Sequence, residues 1–219
     1  MREVNGQAQI AKEFANICKH SDGKVYRKGE TIYQAGDVDN SIYYIKQGKV
    51  KLTYLDESGR KLTLCILGKG EIFGEMVLVG ERRRELSAQV LQDAVIYEIN
   101  RDKFLELIEK KPWLALEIIG IFGRRTREIE QKLEDLIFKD IPTRLSRQLL
   151  KLIQQHGKET TEGIQINFKI THKELADLIG SARENTTSAL NRFAREGILD
   201  KKRYLIIVKD EEKLKQKAS

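Results

Sequence analysis

The sequence predicts an α+β protein in which two differently built halves are joined by a long helix, and three observations predict it. Short Val-, Ile-, Tyr- and Leu-rich segments punctuated by glycine fill roughly the first 100 residues. An apolar repeat in steps of four and three then runs from Ala115 to Leu136. The remainder returns to short helices with capping signals, followed by two apolar segments around a run of cations.

In residues 1–111, Ile42 to Ile45, Lys49 to Leu55 and Lys61 to Leu67 read as strands, Glu57-Ser-Gly59-Arg60 as a hairpin turn and Val95 to Ile99 as a late strand. Gly23, Gly29, Gly36, Gly48, Gly59, Gly68, Gly70, Gly74 and Gly80 supply the turns of an all-β roll. A short helix is expected over residues 8–19.

Residues 112–138 follow Lys111-Pro112, where the period becomes helical. Ala115, Ile119, Phe122, Thr126, Ile129, Leu133 and Leu136 keep a heptad step over three heptads. Arg124, Arg125, Arg127, Glu128, Glu130, Lys132, Glu134 and Asp135 leave only a narrow apolar stripe, which suits a partner helix better than a broad core. The expectation is a parallel coiled-coil homodimer; packing on its own β domain is the alternative. Phe138, Asp140 and Pro142 interrupt the helix, with Asp140 placed to cap the next one, and are read as a hinge.

In residues 139–219, Thr171 and Glu174 have capping-box spacing, Leu175, Leu178 and Ile179 form an apolar face, and Gly180 breaks the helix. Ser181 is placed to cap a second helix held down by Leu190 and Phe193, with Arg183, Glu184, Thr187 and Ser188 facing outward. Ile164 to Phe168 alternates like a strand, and Ile198-Leu199 and Tyr204 to Val208 read as strands joined by the turn Asp200-Lys201-Lys202-Arg203. The pattern is a winged helix-turn-helix. Arg183, Glu184, Thr187 and Ser188 are the candidate contacts to base edges; Thr171, Ser181, Lys201, Lys202 and Arg203 are candidate contacts to the DNA backbone. An ordinary amphipathic helix pair is the competing reading of the local pattern.

Charge agrees with DNA as a partner. Of the net +7, residues 140–219 hold +5, from 16 Lys+Arg against 11 Asp+Glu. No apolar run approaches the roughly 20 residues of a membrane span, and the N-terminal stretch lacks a signal-peptide core, so a cytoplasmic protein without membrane contact is expected. Cys18 and Cys65 show no metal-ligand spacing and read as reduced thiols, a redox switch being a minor alternative. An iron-sulfur cluster would need four cysteine ligands, and His20, His156 and His172 are poorly placed for haem, so neither group nor any metal is expected. With no nucleophile-base pair, paired-histidine motif or phosphate loop, an enzyme is the least favoured class.

Gly29-Glu30, Gly36-Asp37, Gly48 after a paired-tyrosine strand, Phe73-Gly74-Glu75-Met76, Arg84, the Phe138 to Arg144 hinge and Gly180-Ser-Ala-Arg183-Glu184 occur in the order and spacing of one family. From about residue 20 to 208 the chain resembles the CRP/FNR superfamily of bacterial transcription regulators. The resemblance implies a homodimer on a palindromic promoter site, commonly an activator that touches RNA polymerase. It also implies that Arg183 and Glu184 read G·C pairs of a TGTGA-type half-site, chemistry that guanidinium and carboxylate suit. Ser188 stands where the family's cyclic-AMP and oxygen-sensing branches have another arginine, which implies altered specificity at that base pair.

For an effector, the resemblance singles out Gly74, Glu75, Arg84, Glu85, Ile129 and Glu130. Gly74, Glu75 and Arg84 match the cyclic-nucleotide branch. Glu85 replaces its phosphate-binding serine, and Ile129 and Glu130 replace its adenine-contacting Thr-Ser pair. A carboxylate beside a phosphate is repulsive. These departures favour an effector-independent regulator or one gated by another small anionic metabolite, such as 2-oxoglutarate, over a cyclic-AMP-dependent one. A Glu75–Arg84 ion pair with no ligand role is a further alternative, and a nucleotide-binding regulatory module that does not bind DNA is the reading from a different class.

Overall fold

A computed structural model describes residues 12–14, 23–202 and 204–219, which divide into two compact units; the first comprises residues 1–60 and 64–128, the second 61–63 and 129–219. No helix among the described residues is long and apolar enough to cross a membrane.

The first unit is the β-roll. Strands β1 (Lys24–Tyr26), β2 (Thr31–Tyr33), β3 (Ser41–Leu55), β4 (Lys61–Leu67), β5 (Ile72–Phe73) and β6 (Ser87–Asn100) form one sheet in the order β1-β6-β3-β4, with β2 on β6 and β5 on β3. The sequence reading split β3 in two, whereas the structure has a single strand of 15 residues. Gly48 explains the difference. At φ 94° it sits among the register shifts of the β3–β6 ladder, and a Cβ there would lie 2.3 Å from the Asp93 carbonyl oxygen, so glycine lets the strand bulge without ending.

Alternation along β3 sends its paired tyrosines to different cores. Tyr43 and Ile45 join Tyr33, Phe73 and Val50, while Ile42 and Tyr44 join Phe14, Phe104 and Ile118. Tyr43 stacks on Phe73 at 5.0 Å and Tyr44 on Phe14 at 5.1 Å between ring centroids. Of the helix expected over residues 8–19, residues 12–14 are helical and the rest lie outside the described residues, as do Cys18 and His20. Helix α1 (Arg101–Lys110), capped by Asn100, leads to α2 (Trp113–Phe138).

Helix α2 runs for 26 residues across the division between the units. Leu114 and Ile118 are buried, and Phe122 packs on the Phe14 cluster of the roll. Phe122 is therefore withdrawn from the predicted seam, because an aromatic ring at that step finds apolar surface on its own domain. Leu136 is half-buried, its side chain beside Gly180 of the second unit, and is also not on the free face. Ile119, Thr126, Ile129 and Leu133 remain exposed, joined by Leu116 and Ile137.

In the second unit, Asp140 caps α3 (Ile141–His156) by accepting from the Thr143 N–H at 2.9 Å, and Pro142 sits in its first turn. Phe138, the last residue of α2, is exposed, so the helix break lies where the sequence placed it. Asp135 and Arg147 form an ion pair across the break. The strands β7 (Gly157–Thr160), β8 (Gly163–Ile166), β9 (Leu199–Lys202) and β10 (Leu205–Val208) form a sheet ordered β7-β8-β10-β9. Helices α4 (His172–Ile179) and α5 (Arg183–Arg195) lie between β8 and β9, and α6 (Glu211–Lys217) follows β10. Strand β7 and helix α6 were not anticipated: β7 is fully exposed and α6 buries only Leu214, so neither prints a periodic apolar pattern.

The wing differs from expectation in register. Asp200, Lys201 and Lys202 belong to β9, with Leu205 opposite Lys202, so these three residues are strand and not the basic turn that was expected. Tyr204 takes φ 74° there, the positive-φ non-glycine among the described residues, with 57% of its surface exposed.

Candidate functional site

The reading head is built from α4, a left-handed glycine and α5. Thr171 accepts from the Glu174 N–H at 3.1 Å while Glu174 accepts from the Thr171 N–H at 2.7 Å, completing the predicted capping box. The Thr171 hydroxyl also donates to Glu174 Oε2 at 2.9 Å. Its donors are thus spent inside the cap, which corrects its assignment as a phosphate contact. Gly180 ends α4 at φ 60°, ψ 49°.

Ser181 does not cap α5. Ala182 occupies the N-cap position with no side-chain cap, and the Thr186 hydroxyl donates back to the Ala182 carbonyl at 3.0 Å. Thr186, Ala189, Leu190 and Phe193 are buried, and their spacing fixes the helix by one face. The opposite face presents Arg183, Glu184, Asn185 and Ser188 to solvent in the first two turns. Asn185 was missed by the sequence reading, although an exposed amide at this end of the helix suits adenine.

Thr187 was expected to face out as well, but it is half-buried, with its hydroxyl 2.9 Å from His172 Nδ1. Desolvation, then the charges of Lys201 and Arg183, hold the His172 imidazole below its usual range, so it is neutral at pH 7. His172 therefore braces α4 against the second turn of α5. In the wing, Lys201 donates to the Asn191 side chain, and Lys202 reaches Glu162 Oε2 at 2.5 Å with about half its side chain exposed. Each of these lysines is thus tethered by a side-chain partner. Arg203 lies outside the described residues.

The roll offers a second candidate site, around Gly74, Glu75 and Arg84. Gly74, at φ 78°, turns the chain into a short 3-10 segment, Glu75–Val79. Glu75 and Arg84 are both about 95% buried, but they do not pair with each other, which overturns that alternative. Glu75 pairs with Arg125 of α2, which also donates to the Ile72 carbonyl. Sequence reasoning had placed Arg125 among the solvated charges flanking the seam; a lone arginine in a run of charges carries no signal of inward orientation.

Arg84 is held elsewhere. Its Nη1 donates to the Gly74 carbonyl at 2.8 Å, and its Nη2 donates to Asp39 Oδ2 at 2.7 Å and to the Ser41 carbonyl at 2.5 Å. Its Nε reaches the same Asp39 oxygen at 3.2 Å. Four of the five guanidinium N–H directions are therefore taken by the protein. Glu85 is exposed, and Ile129 and Glu130 are exposed on α2 within the second unit.

Cys65 packs beside the inner core, and burial pushes its thiol up to about 11, so it is a protonated, weakly nucleophilic group at neutral pH. His156 packs edge-on against Phe168. Among the described residues no His, Cys, Asp and Glu group is arranged to hold a metal ion.

Comparisons with known proteins agree with this division. Residues 23–111 match the cyclic nucleotide-binding domain model, and residues 143–217 match the Crp-like helix-turn-helix domain. The chain is 35% identical over 176 residues to the cyclic AMP receptor protein of Thermus thermophilus, covering 80% of this chain and 78% of that one. It is 30% identical over 205 residues to a CRP-like cAMP-activated global transcriptional regulator of Mycobacterium tuberculosis, covering 94% and 92%. A solved CRP/FNR-family transcriptional regulator of Thermus thermophilus superimposes with a TM-score of 0.76 at 26% identity, covering 90% of this chain and 98% of that one.

The match to a nucleotide-binding fold does not extend to the phosphate clamp. Arg84 already has a carboxylate and two carbonyls as acceptors, so its guanidinium as held here does not fit a cyclic phosphate. What the roll, the capped helix pair and the relatives establish together is the class: this chain is a transcription regulator of the CRP/FNR superfamily, with a helix-turn-helix DNA-binding domain and not an enzyme.

Proposed function

We propose that the protein is a cytoplasmic, sequence-specific regulator that binds a palindromic promoter site as a homodimer and does so without cyclic AMP. The observation that carries the DNA reading is the exposed Arg183-Glu184 pair on the first turn of a helix anchored through Leu190 and Phe193. In this reading Arg183 bonds guanine O6 and N7, Glu184 accepts from cytosine N4, and Lys201 and Lys202 add phosphate attraction. The exposed stripe Ile119, Thr126, Ile129 and Leu133 supports pairing of two long helices, and the break at Phe138 to Pro142 supports a hinge between seam and head. Activation through RNA polymerase is the role the family favours. The relatives named for cyclic AMP keep a cyclic-nucleotide effector as the second reading, and the saturated guanidinium of Arg84 is the reason it ranks second.

Fluorescence anisotropy on a palindromic TGTGA-type duplex and a scrambled one, at fixed salt, tests both parts. Selective binding that cyclic AMP leaves unchanged is expected. Selectivity appearing only with cyclic AMP would overturn the effector part, and none on a site-selected duplex would overturn the DNA part. In sedimentation, Ile129→Glu should convert the dimer to monomer; an intact dimer would remove α2 as the seam.

A further inference from the structure

Arg84 and Asp39 come from separate loops that the backbone fastens together. The Arg84 N–H donates to the Asp37 carbonyl at 2.8 Å, the Gly36 N–H to the Arg84 carbonyl at 2.7 Å, and Val38 bridges to Arg83. Within that frame, Asp39 is a fully built anion. One carboxylate oxygen receives Arg84 and the Tyr43 hydroxyl, both at 2.7 Å, and the other receives the Ser41 N–H at 2.9 Å. The Tyr33 and Tyr43 rings flank the guanidinium at 4.6 and 5.7 Å. A phosphate would offer Arg84 the same charge and the same acceptor geometry.

We propose that Asp39 is the specificity-determining residue of the sensor domain: an internal carboxylate that takes the place of an anion on Arg84 and makes the site blind to phosphate-bearing effectors. This rests on the reading that the protein works without cyclic AMP, and it names the residue responsible. The neighbouring cation is also taken. Arg125 is bound by Glu75, and Glu71 and Glu128 lie in the same electrostatic neighbourhood, with Lys49 as a further cation. An entering phosphate would have to displace Asp39 from the donors that hold it.

The test is isothermal titration of the full chain with cyclic AMP and, separately, inorganic phosphate. It compares the natural protein with Asp39→Ala, with Asp39→Asn and with Asp39→Ala combined with Arg84→Met. Asp39→Asn preserves the side-chain shape in case the alanine variant does not fold, and each variant is judged only if it keeps a cooperative melt. The natural protein should show no saturable binding. A folded Asp39 variant should gain at least about tenfold in affinity for cyclic AMP, the value of one charged hydrogen bond, and the Arg84→Met combination should lose that gain. Binding of cyclic AMP by the natural protein as tightly as by the variants would overturn the proposal, as would folded Asp39 variants that stay silent or a gain that survives Arg84→Met. Duplex binding of the same natural sample separates the two readings. A natural protein that is blind to anions and shows no selectivity on a site-selected duplex would end the DNA reading and leave Asp39 as the anion gate.

Discussion

In the β-roll, Arg84 and Arg125 are turned inward and each is held by a carboxylate; in the reading head, Arg183 stands in solvent on the first turn of α5. The same side chain has opposite uses. A buried guanidinium must have its charge and N–H groups satisfied within the chain, so what it recognises is its own protein. An exposed one keeps them for a partner, at little cost to folding. The difference teaches where to look for a ligand: in this chain, unspent hydrogen-bonding capacity lies on α5 more than around Gly74 and Arg84.

The comparison breaks most visibly in stability. Arg125→Ala leaves Glu75, whose side chain is 6% exposed, without its counter-charge. Removing one partner of such a pair costs about 3–5 kcal/mol, read as a fall in the urea midpoint. Arg125→Met with Glu75→Leu should recover most of it. A double variant as unstable as the single one would show that packing, not charge, is what Arg125 supplies.

Arg183→Ala should do the reverse, leaving the urea midpoint unmoved and lowering affinity for the cognate duplex by about 1–3 kcal/mol. Binding to a scrambled duplex should be unchanged within error; equal loss on both would make Arg183 a phosphate contact. A smaller effect separates the regions by pH. Burial alone would raise the Asp39 carboxyl, but bonds from Tyr43 and Arg84, with the Arg84 charge, carry it below its ordinary 3.8. Its contribution is therefore complete above that value and lost as pH falls through the lower folded value. Asp39→Asn should flatten this acid limb, and an unchanged limb would assign it to other carboxylates. Glu71, raised by burial above its ordinary 4.5, has the opposite sign: the native state loses stability as pH rises through that interval. Smallest is the wing. Lys201→Ala and Lys202→Ala should each weaken both duplexes and reduce the salt slope by about 0.9 for each phosphate no longer neutralised. A constant slope would show that the lysine replaced does not meet a phosphate.

Much of the framework was legible because it is written in local pattern. Thr171 with Glu174, Gly180, Leu190 and Phe193 predict the helix pair from spacing alone, and Asp140 with Pro142 predict the start of α3. The site was less legible because its decisive partners are distant in sequence. Nothing near Arg84 announces Asp39, 45 residues earlier, and nothing near Glu75 announces Arg125, 50 residues later. The heptad step likewise could not say that Phe122 packs on the roll and Leu136 beside Gly180, because periodicity gives a face and not what covers it. Ser181 was misread as a cap because hydroxyl residues favour that position statistically, and here the chain uses Ala182 instead.

Tyr204 carries a consequence for anyone who would improve this protein. A bulky residue at φ 74° strains the hairpin tip by about 1–3 kcal/mol, and a glycine would relieve much of that. A screen for heat resistance alone would therefore enrich Tyr204→Gly and strip the exposed ring from the wing. A library built on this chain therefore needs a functional selection beside the thermal one, because heat alone removes the ring whatever it does.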